Sequence, residues 1–263
     1  MKWVKEGLTL YGSEQMNQLH GVTHGFTDRL GGVSQGVFAS LNFGLQDKPE
    51  CVQENYRRAC KAFGISRLVM GHQQHTDAVR AVTEEDAGRG LCLESRFPDG
   101  VDGLVTNCRQ LALGVLGADC PGVLLCDPVA GAIGAVHSGW RGTVANITGK
   151  ALGEMCSRYG ARPEQTWAVI GPCIHACHFE TGLEVADVFA QRYGSFYPKM
   201  AVRKGEKAYL DLPAAIQYDL EQMGVPAAQI EVLPHCTMCE NELFFSHRKG
   251  DRGRIFGFIL LNS

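Results

Sequence analysis

The chain has 263 residues, of which 45% are hydrophobic and 20% charged, and its formal net charge is −3. This length allows one domain with a sizeable core, and the composition excludes a disordered chain. The sequence contains no basic block and no apolar run long enough to span a bilayer. We therefore expect neither a nucleic-acid partner nor a membrane partner, and we predict a single catalytic domain over residues 1–263.

The predicted elements alternate irregularly between strands and helices. Short apolar runs predict strands, and apolar periodicity bounded by Pro, Asp or Gly predicts helices. No Gly-x-Gly-x-x-Gly follows a strand, so a dinucleotide-binding fold is not indicated. The pattern predicts a mixed α/β fold without regular βαβ alternation. In chain order, the predictions are a helix over Pro49–Phe63, strands over Leu111–Leu116, Val123–Cys126 and Ala132–Val136, a helix over Val144–Tyr159, a strand over Trp167–Ile170, helices over Leu183–Tyr193 and Asp211–Met223, and a strand over Ile255–Leu261.

The eleven cysteines indicate where the protein resides. The segment Met1–Leu10 is too polar and too short for the core of a signal peptide. We therefore expect a cytoplasmic protein whose cysteines are reduced thiols, buried side chains or ligands, rather than a disulfide framework.

Three residues stand out as candidate metal ligands. Cys120 and His137 each follow an apolar strand and face a loop, and His75 precedes a further candidate strand. One thiolate and two imidazoles suit zinc, and three protein ligands leave a fourth position open for water or substrate. Zinc with an open position can acidify a bound water towards neutrality. The spacing alone also allows a buried thiol and two histidines that bond to the backbone.

The motifs around these residues resemble those of a known family. This family is variously called YfiH-like proteins, laccase-domain (polyphenol oxidase) proteins and zinc-dependent purine nucleoside phosphorylases. The similarity extends from about Gly25 to Leu260. The matching segments are Gln74-His75, Ala118-Asp119-Cys120-Pro121, His137-Ser138-Gly139-Trp140-Arg141-Gly142, Gly171-Pro172-Cys173-Ile174 and Phe244-Phe245-Ser246-His247-Arg248.

The resemblance implies a fold, a metal site and an activity. The fold is a single layered domain with mixed β-sheets flanked by helices, related to a group of cysteine hydrolases. The site is zinc, with copper possible, held by His75, Cys120 and His137. The activity is phosphorolysis of adenosine, inosine, guanosine and methylthioadenosine, together with hydrolytic deamination of adenosine. The expected partners are therefore purine nucleosides and phosphate, and we expect a monomer or a homodimer.

Phosphorolysis requires an anion site, for which the sequence offers several candidates. Arg141 lies where a loop enters a helix, and a guanidinium there can clamp phosphate. Arg29 and Asn42 flank a glycine-rich segment, and Ser246 and Arg248 lie in a basic turn. Each of the five also has an ordinary packing or surface role open to it.

Deamination and phosphorolysis both move protons, and Asp119 is the candidate for this task. It adjoins Cys120 in sequence, so its carboxylate is a possible proton shuttle. An equally reasonable role is that of a hydrogen-bond partner that orients a ligating histidine.

A second group of cysteines and histidines lies nearer the carboxyl end. Its members are Cys173, Cys177-His178 and His235-Cys236-Thr-Met-Cys239. The pattern allows a second metal site, a redox cysteine pair or a cluster of buried thiols. It also partly resembles the cytidine-deaminase signature, although His235 separates the proline from the cysteine and the intervening segment is long.

Three other classes of function remain open at this point. Copper-dependent phenol oxidation fits the His-Cys-His count, but none of the nine histidines forms the His-x-His pair that a three-copper cluster uses. A metal-free hydrolase would use Cys120 as nucleophile and His137 as base, and it would best fit the peptidoglycan-precursor editing that is also attached to the family the chain resembles. A non-enzymatic binding module is the third class, and the concentration of polar motifs at strand ends favours an enzyme instead.

Overall fold

The computed structural model describes residues 1–263 and contains two six-stranded sheets and one three-stranded sheet. The strands are β1 (Lys2–Lys5), β2 (Leu8–Tyr11), β3 (Val22–Thr27), β4 (Leu68–Met70), β5 (Val79–Ala81), β6 (Gly103–Thr106), β7 (Ala112–Gly117), β8 (Gly122–Asp127), β9 (Ala132–His137), β10 (Trp167–Ile170), β11 (Glu180–Gly182), β12 (Ala201–Lys204), β13 (Lys207–Leu210), β14 (Ile230–Val232) and β15 (Ile255–Leu261). The helices are α1 (Pro49–Phe63), α2 (Trp140–Val144), α3 (Ile147–Tyr159), α4 (Leu183–Tyr193), α5 (Tyr197–Met200) and α6 (Leu212–Gln222).

Both large sheets are mixed, which confirms the predicted α/β class. The first has the strand order β1-β2-β3-β15-β7-β4, and the second has the order β14-β10-β8-β9-β6-β5. The β4–β7, β5–β6 and β10–β14 pairs are parallel, and the remaining pairs of these two sheets are antiparallel. No helix is both long and apolar enough to cross a membrane.

The two large sheets pack against each other, and helices cover their outer faces. One core cluster joins Val115 and Ile259 of the first sheet to Leu124 and Ile133 of the second. A second cluster joins the outer face of the first sheet to α1. A third joins the outer face of the second sheet to α3 and α6. The result is a four-layer arrangement of helix, sheet, sheet and helices.

This layering explains why the predicted strands are continuously apolar. Side chains alternate across a strand, so a strand buried on both faces has no polar side. In β15, Ile255 and Ile259 face the other sheet, whereas Phe256 and Phe258 belong to the cluster with α1. The helix predicted over Pro49–Phe63 is confirmed, and it ends at Gly64, which has φ of +73°.

One predicted helix is divided in two. The helix predicted over Val144–Tyr159 begins at Ile147, and a separate short helix, α2, precedes it. The break occurs at Asn146, whose φ of +56° is left-handed and whose side chain accepts a hydrogen bond from the Gly149 N–H. An Asn tolerates this conformation and caps the next helix, so the chain can turn between α2 and α3.

Candidate metal and substrate site

The three predicted ligands meet where the second sheet ends. Cys120 lies in the turn from β7 to β8, His137 is the last residue of β9, and His75 lies in the loop between β4 and β5. Their ligand atoms all lie within 4.8 Å of one another. The His75 Nε2 is 3.8 Å from the Cys120 Sγ, and the two imidazole rings are 4.9 Å apart at 77°. The structure therefore brings together residues separated by up to 62 positions.

A buried carboxylate, Asp102, orients both histidines. Its Oδ1 is 2.7 Å from the His137 Nδ1 and also accepts the backbone N–H of His75 at 3.0 Å. Its Oδ2 accepts the backbone N–H groups of Gln74 and Thr76 and the Thr76 hydroxyl. Because Asp102 occupies Nδ1 of His137, the Nε2 atom of that ring is the one free to bind a ligand.

These contacts set the charge of the site. Burial alone would raise the pKa of Cys120, but hydrogen bonds with His137 and His75 outweigh it and lower that pKa below its usual value. Burial would lower the pKa of His137, yet its bonds with Asp102 and Cys120 raise it. Despite burial, hydrogen bonds from His137, Gln74 and Thr76 hold the pKa of Asp102 at about 2. The thiolate form that a metal binds is thus favoured.

Gly139 leaves room for the ligands to approach each other. A Cβ at this position would lie 2.9 Å from Cδ2 of His75 and 3.1 Å from Sγ of Cys120. Two of the five non-glycine residues with positive φ also lie here, namely His75 at +60° and Asp119 at +83°. Such conformations persist where the surrounding contacts enforce them, and they are frequent at functional sites.

The ligands open onto a cavity of about 510 Å³ that is lined by four arginines and a single carboxylate. The carboxylate is Asp119, and the arginines form no ion pair within the chain. Apolar side chains from several segments complete the wall. The arginines are Arg96, Arg248, Arg252 and Arg254, and the apolar group includes Met70, Leu116, Ile174 and Phe179.

One of the five predicted substrate residues, Arg248, and the predicted proton-transfer residue, Asp119, lie at this cavity. Arg248 lines it, and its guanidinium donates to the carbonyls of Glu180 and His178 at 3.1 and 3.5 Å. The Asp119 carboxylate accepts the Thr237 hydroxyl at 2.6 Å and the Arg248 N–H at 2.7 Å. Asp119 is therefore engaged away from the histidines, and Asp102 has the histidine-orienting position that the sequence offered to Asp119.

The other four predicted substrate residues do not line the cavity. Arg141 is exposed and stacks over Trp140, with its Cζ 4.4 Å from the ring centroid. Arg29 pairs with Asp251 and donates to two backbone carbonyls. Asn42 is buried and bonds to Gly44, Asp47 and Arg254, and Ser246 is buried in a turn with Lys249. The contacts of these four side chains are those of packing and hydrogen bonding within the protein.

Several residues of the site were not predicted from the sequence. Asp102 precedes β6 in the segment Gly100-Val-Asp102-Gly103, and no strand was predicted there that would have drawn attention to the carboxylate. Arg252 and Arg254 continue the basic turn that begins at Arg248, so that turn indicated them in part. Nothing in the local sequence distinguishes Arg96 from other surface arginines.

Comparisons with known proteins establish the family. A family model described as multi-copper polyphenol oxidoreductase laccase matches residues 23–262. The solved structure of YlmD from Geobacillus stearothermophilus is similar with a TM-score of 0.89 and 32% identity, over 99% of this chain and 98% of that one. The structure of the Bacillus licheniformis protein YfiH has the same TM-score and 33% identity. The chain belongs to this laccase-like, YfiH-like family.

Relatives of known name connect the family to purine nucleosides. The purine nucleoside phosphorylase YlmD of Geobacillus stearothermophilus is 36% identical over 247 residues, which are 91% of this chain and 90% of the relative. An adenosine deaminase, RL5, from an unknown prokaryotic organism is 38% identical over 187 residues, or 70% of this chain and 71% of the relative. Phosphorylase and deaminase names thus both occur among the relatives.

Proposed function

We propose that this chain is a purine nucleoside phosphorylase that also deaminates adenosine, at a zinc site formed by His75, Cys120 and His137. The observation that carries the proposal is the arginine-lined cavity that opens onto these three ligands. Phosphorolysis needs an anion and a nucleoside side by side, and the cavity has surfaces of both kinds. Adenosine, inosine, guanosine and methylthioadenosine are the proposed substrates.

The basic side of the cavity is suited to phosphate. Arg254 is half-buried, and its guanidinium donates only to the carbonyls of Arg252 and Gly253. Arg96 is half-buried and donates no hydrogen bond within the chain. A guanidinium without a carboxylate partner attracts an anion strongly, because the charge is not neutralised from within the protein. The apolar side around Leu116, Ile174 and Phe179 matches the face of a purine.

The donor set fits zinc, because it combines an ionisable thiol with two imidazoles, one of them oriented by Asp102. Bound there, zinc supplies Lewis acidity at the substrate and acidifies water. Asp102 keeps the imidazole of His137 directed at the ligand position. Asp119, held by Thr237 and Arg248, is the carboxylate placed to accept or return a proton at the cavity.

Copper is the metal that the family description names, and the His-Cys-His set would also accept it. The other group of potential ligands in the chain contains one histidine and three cysteines. That set does not suit a three-copper cluster, which uses many histidines. The nucleoside reaction therefore agrees better with the side chains than phenol oxidation does.

Product analysis with adenosine tests the proposal directly. Purified protein with measured metal content is incubated with adenosine, with and without phosphate, and compared with Cys120→Ala. We expect adenine and ribose 1-phosphate only with phosphate, inosine in both conditions, and neither activity in the variant. If the metal-loaded protein forms no product from any of the four nucleosides, the proposal is wrong.

A metal-free hydrolase is the second candidate, favoured by one specific observation. Despite burial, the two neighbouring histidines lower the pKa of the Cys120 thiol. A ring nitrogen of His137 lies within 4.8 Å of the Cys120 Sγ, and the Nδ1 of the same ring is 2.7 Å from Asp102. This is the order of nucleophile, base and orienting carboxylate found in cysteine hydrolases. If chelation leaves hydrolysis of an amide substrate intact while thiol alkylation abolishes it, this candidate replaces the first.

A further inference from the structure

Four potential ligands outside the cavity converge at one point. Cys177 and His178 come from the segment before β11, and Cys236 and Cys239 come from the segment after β14. Their ligand atoms all lie within 4.8 Å of one another. The four residues, here called the Cys₃His cluster, share no member with the His75, Cys120 and His137 group.

The distances within the Cys₃His cluster match the edges of a tetrahedron around a single ion. Cys177 Sγ is 3.5 Å from Cys236 Sγ and 3.7 Å from Cys239 Sγ. His178 Nδ1 is 3.2, 3.4 and 4.0 Å from the sulfurs of Cys177, Cys239 and Cys236. Bonds of about 2.3 Å to sulfur and 2.0 Å to nitrogen at tetrahedral angles require edges of roughly 3.5–3.8 Å.

These separations differ from those of a disulfide. Sulfurs in a disulfide lie about 2.05 Å apart, and all eleven cysteines are free thiols in the structure. Three thiols and an imidazole converging on one point have no hydrogen-bond arrangement that satisfies them equally well. A thiophilic cation satisfies all four groups at once, because each of them then contributes one lone pair to the same ion.

The backbone holds the two segments in register at this point. Cys173 and Cys236 form a parallel bridge, in which the Cys173 N–H donates to His235 and the Thr237 N–H donates to Cys173. The Glu240 N–H donates to the Cys236 carbonyl at 2.9 Å, which closes the Cys-x-x-Cys turn. That spacing is common in structural zinc sites, where both thiolates of a tight turn bind the same ion.

We propose that the Cys₃His cluster is a second, structural metal site that binds one zinc ion with Cys177, His178, Cys236 and Cys239. All four positions are filled by protein, so the ion has no open coordination position for substrate. Binding converts the three thiols to thiolates and releases their protons to solvent.

The position of this site gives it a task at the substrate cavity. Phe179, which lines the cavity, directly follows His178. Thr237, between the two cysteines of the turn, donates to Asp119 beside Cys120. Arg248 contacts the carbonyl of His178. An ion in the Cys₃His cluster therefore fixes two walls of the cavity against each other without contacting the substrate.

Metal stoichiometry at a buffered nanomolar free zinc concentration, under reducing conditions, tests the proposal. We expect two equivalents of zinc in the wild type, one in Cys239→Ser and one in Cys120→Ser. Cys51→Ser, a half-buried cysteine outside both groups, is the matched control and should keep two. A wild type that binds one equivalent, lost with Cys120→Ser and kept in Cys239→Ser, overturns the second site and leaves the first intact.

Cobalt substitution in the wild type keeps the test valid if a variant fails to fold. Thiolate-to-cobalt charge transfer grows with the number of coordinating thiolates, and the two sites supply three and one. We expect the protein to saturate at two cobalt ions, with a charge-transfer absorption whose intensity corresponds to four thiolates. Saturation at one cobalt ion with a single thiolate would contradict the proposal. A disulfide between Cys177 and either Cys236 or Cys239, found by counting free thiols after purification in reductant, would also contradict it.

Discussion

Asp102 is the residue on which both candidate histidine ligands depend. One carboxylate accepts the ring of His137 and three consecutive backbone N–H groups, those of Gln74, His75 and Thr76. Such a buried acceptor is costly to alter, because its partners lose their hydrogen bonds together. The candidate metal site is thus built around a side chain that is not one of the three proposed ligands.

We predict that Asp102→Asn lowers the zinc affinity of the first site by about 10–100-fold, since the orienting carboxylate of a ligating histidine is lost. Asp127→Asn is the matched control. Asp127 is equally buried and accepts the backbone N–H groups of Val129, Ala130 and Arg162, away from the site. Chelator competition measures the affinity, and urea unfolding shows that both variants fold. Equal affinities in the two variants would mean that Asp102 has no orienting role.

The buried side chain of His24 should make the folding stability of the protein depend on pH, and this prediction is independent of the proposed function. Burial, followed by the charge of the amino terminus, lowers its pKa to about 4. Its Nε2 accepts the Ser13 N–H at 3.0 Å, so protonation would place two donors face to face. The unfolded chain takes up this proton near pH 6.5, before the folded chain does. The stabilisation is therefore complete above pH 6.5 and is lost as the pH falls towards 4.

We expect the wild type to lose about 2 kcal/mol more stability than His24→Gln between pH 7 and pH 5. Glutamine can still accept the Ser13 N–H and has no charge to gain. Urea unfolding of both proteins at the two pH values measures the difference, and contributions from all other groups cancel in the comparison. Parallel pH dependences would show that His24 does not titrate as described.

At the scale of elements, the start of α2 determines how closely the ligands can approach. Gly139 directly precedes this helix and lies two residues after His137. Its φ of −64° is open to any residue, so only the missing side chain makes glycine necessary here. Gly153, inside α3, is the opposite case, because a Cβ at this position would have no other atom within 4 Å.

Gly139→Ala should fold yet lose zinc affinity and activity, because its methyl group would press on His75 and Cys120. Gly153→Ala should keep both and gain about 0.5–1 kcal/mol of stability, since alanine favours the helix. Zinc titration and thermal unfolding of the two variants check this pair. Unchanged zinc affinity in Gly139→Ala would show that the ligands lie further apart than described.

The sequence predicted the elements that carry strong, uninterrupted signals. The central strands β8, β9, β10 and β15 were recognisable because both of their faces are buried, and α1 because Pro49 and Gly64 mark its ends. Short strands such as β4 and β14 were missed, because three residues carry too little periodicity. The break at Asn146 was missed because the apolar positions continue across it.

The site was predictable to the same uneven degree. Cys120 and His137 were visible at strand ends and His75 beside a candidate strand, and the resemblance strengthened the case for all three as ligands. The arginines of the cavity come from segments far apart in the chain, and only the folded structure brings Arg96 beside Arg252 and Arg254. Arg141 had the right local context, but its stacking on Trp140 takes it elsewhere.

At the scale of the whole molecule, charge is distributed unevenly. The chain has a net charge of −3, yet its main cavity contains four arginines and one carboxylate. Field lines concentrate in such a cleft, which draws anions in despite the overall negative charge. The effect is screened by salt at distances beyond about 8–10 Å.

We predict that Arg96→Ala and Arg254→Ala each raise KM for phosphate about tenfold or more, which corresponds to one charge-assisted hydrogen bond. Adenosine deamination, which needs no phosphate, should change less. Arg141→Ala should leave KM for phosphate unchanged, because this side chain stacks on Trp140 and does not line the cavity. Steady-state kinetics at several phosphate concentrations and two ionic strengths measure these effects. An increase in KM confined to Arg141→Ala would place the anion at the start of α2 instead.

The position of β15 has a consequence for how the protein is made. Residues Ile255–Leu261 lie between β3 and β7 and are hydrogen-bonded to both. During synthesis β3 and β7 emerge from the ribosome long before the strand that joins them, so their facing edges stay unpaired until residue 261 has been released. The first sheet cannot close before β15 is available, and through that interval its two apolar edges are open to pairing with a neighbouring polypeptide.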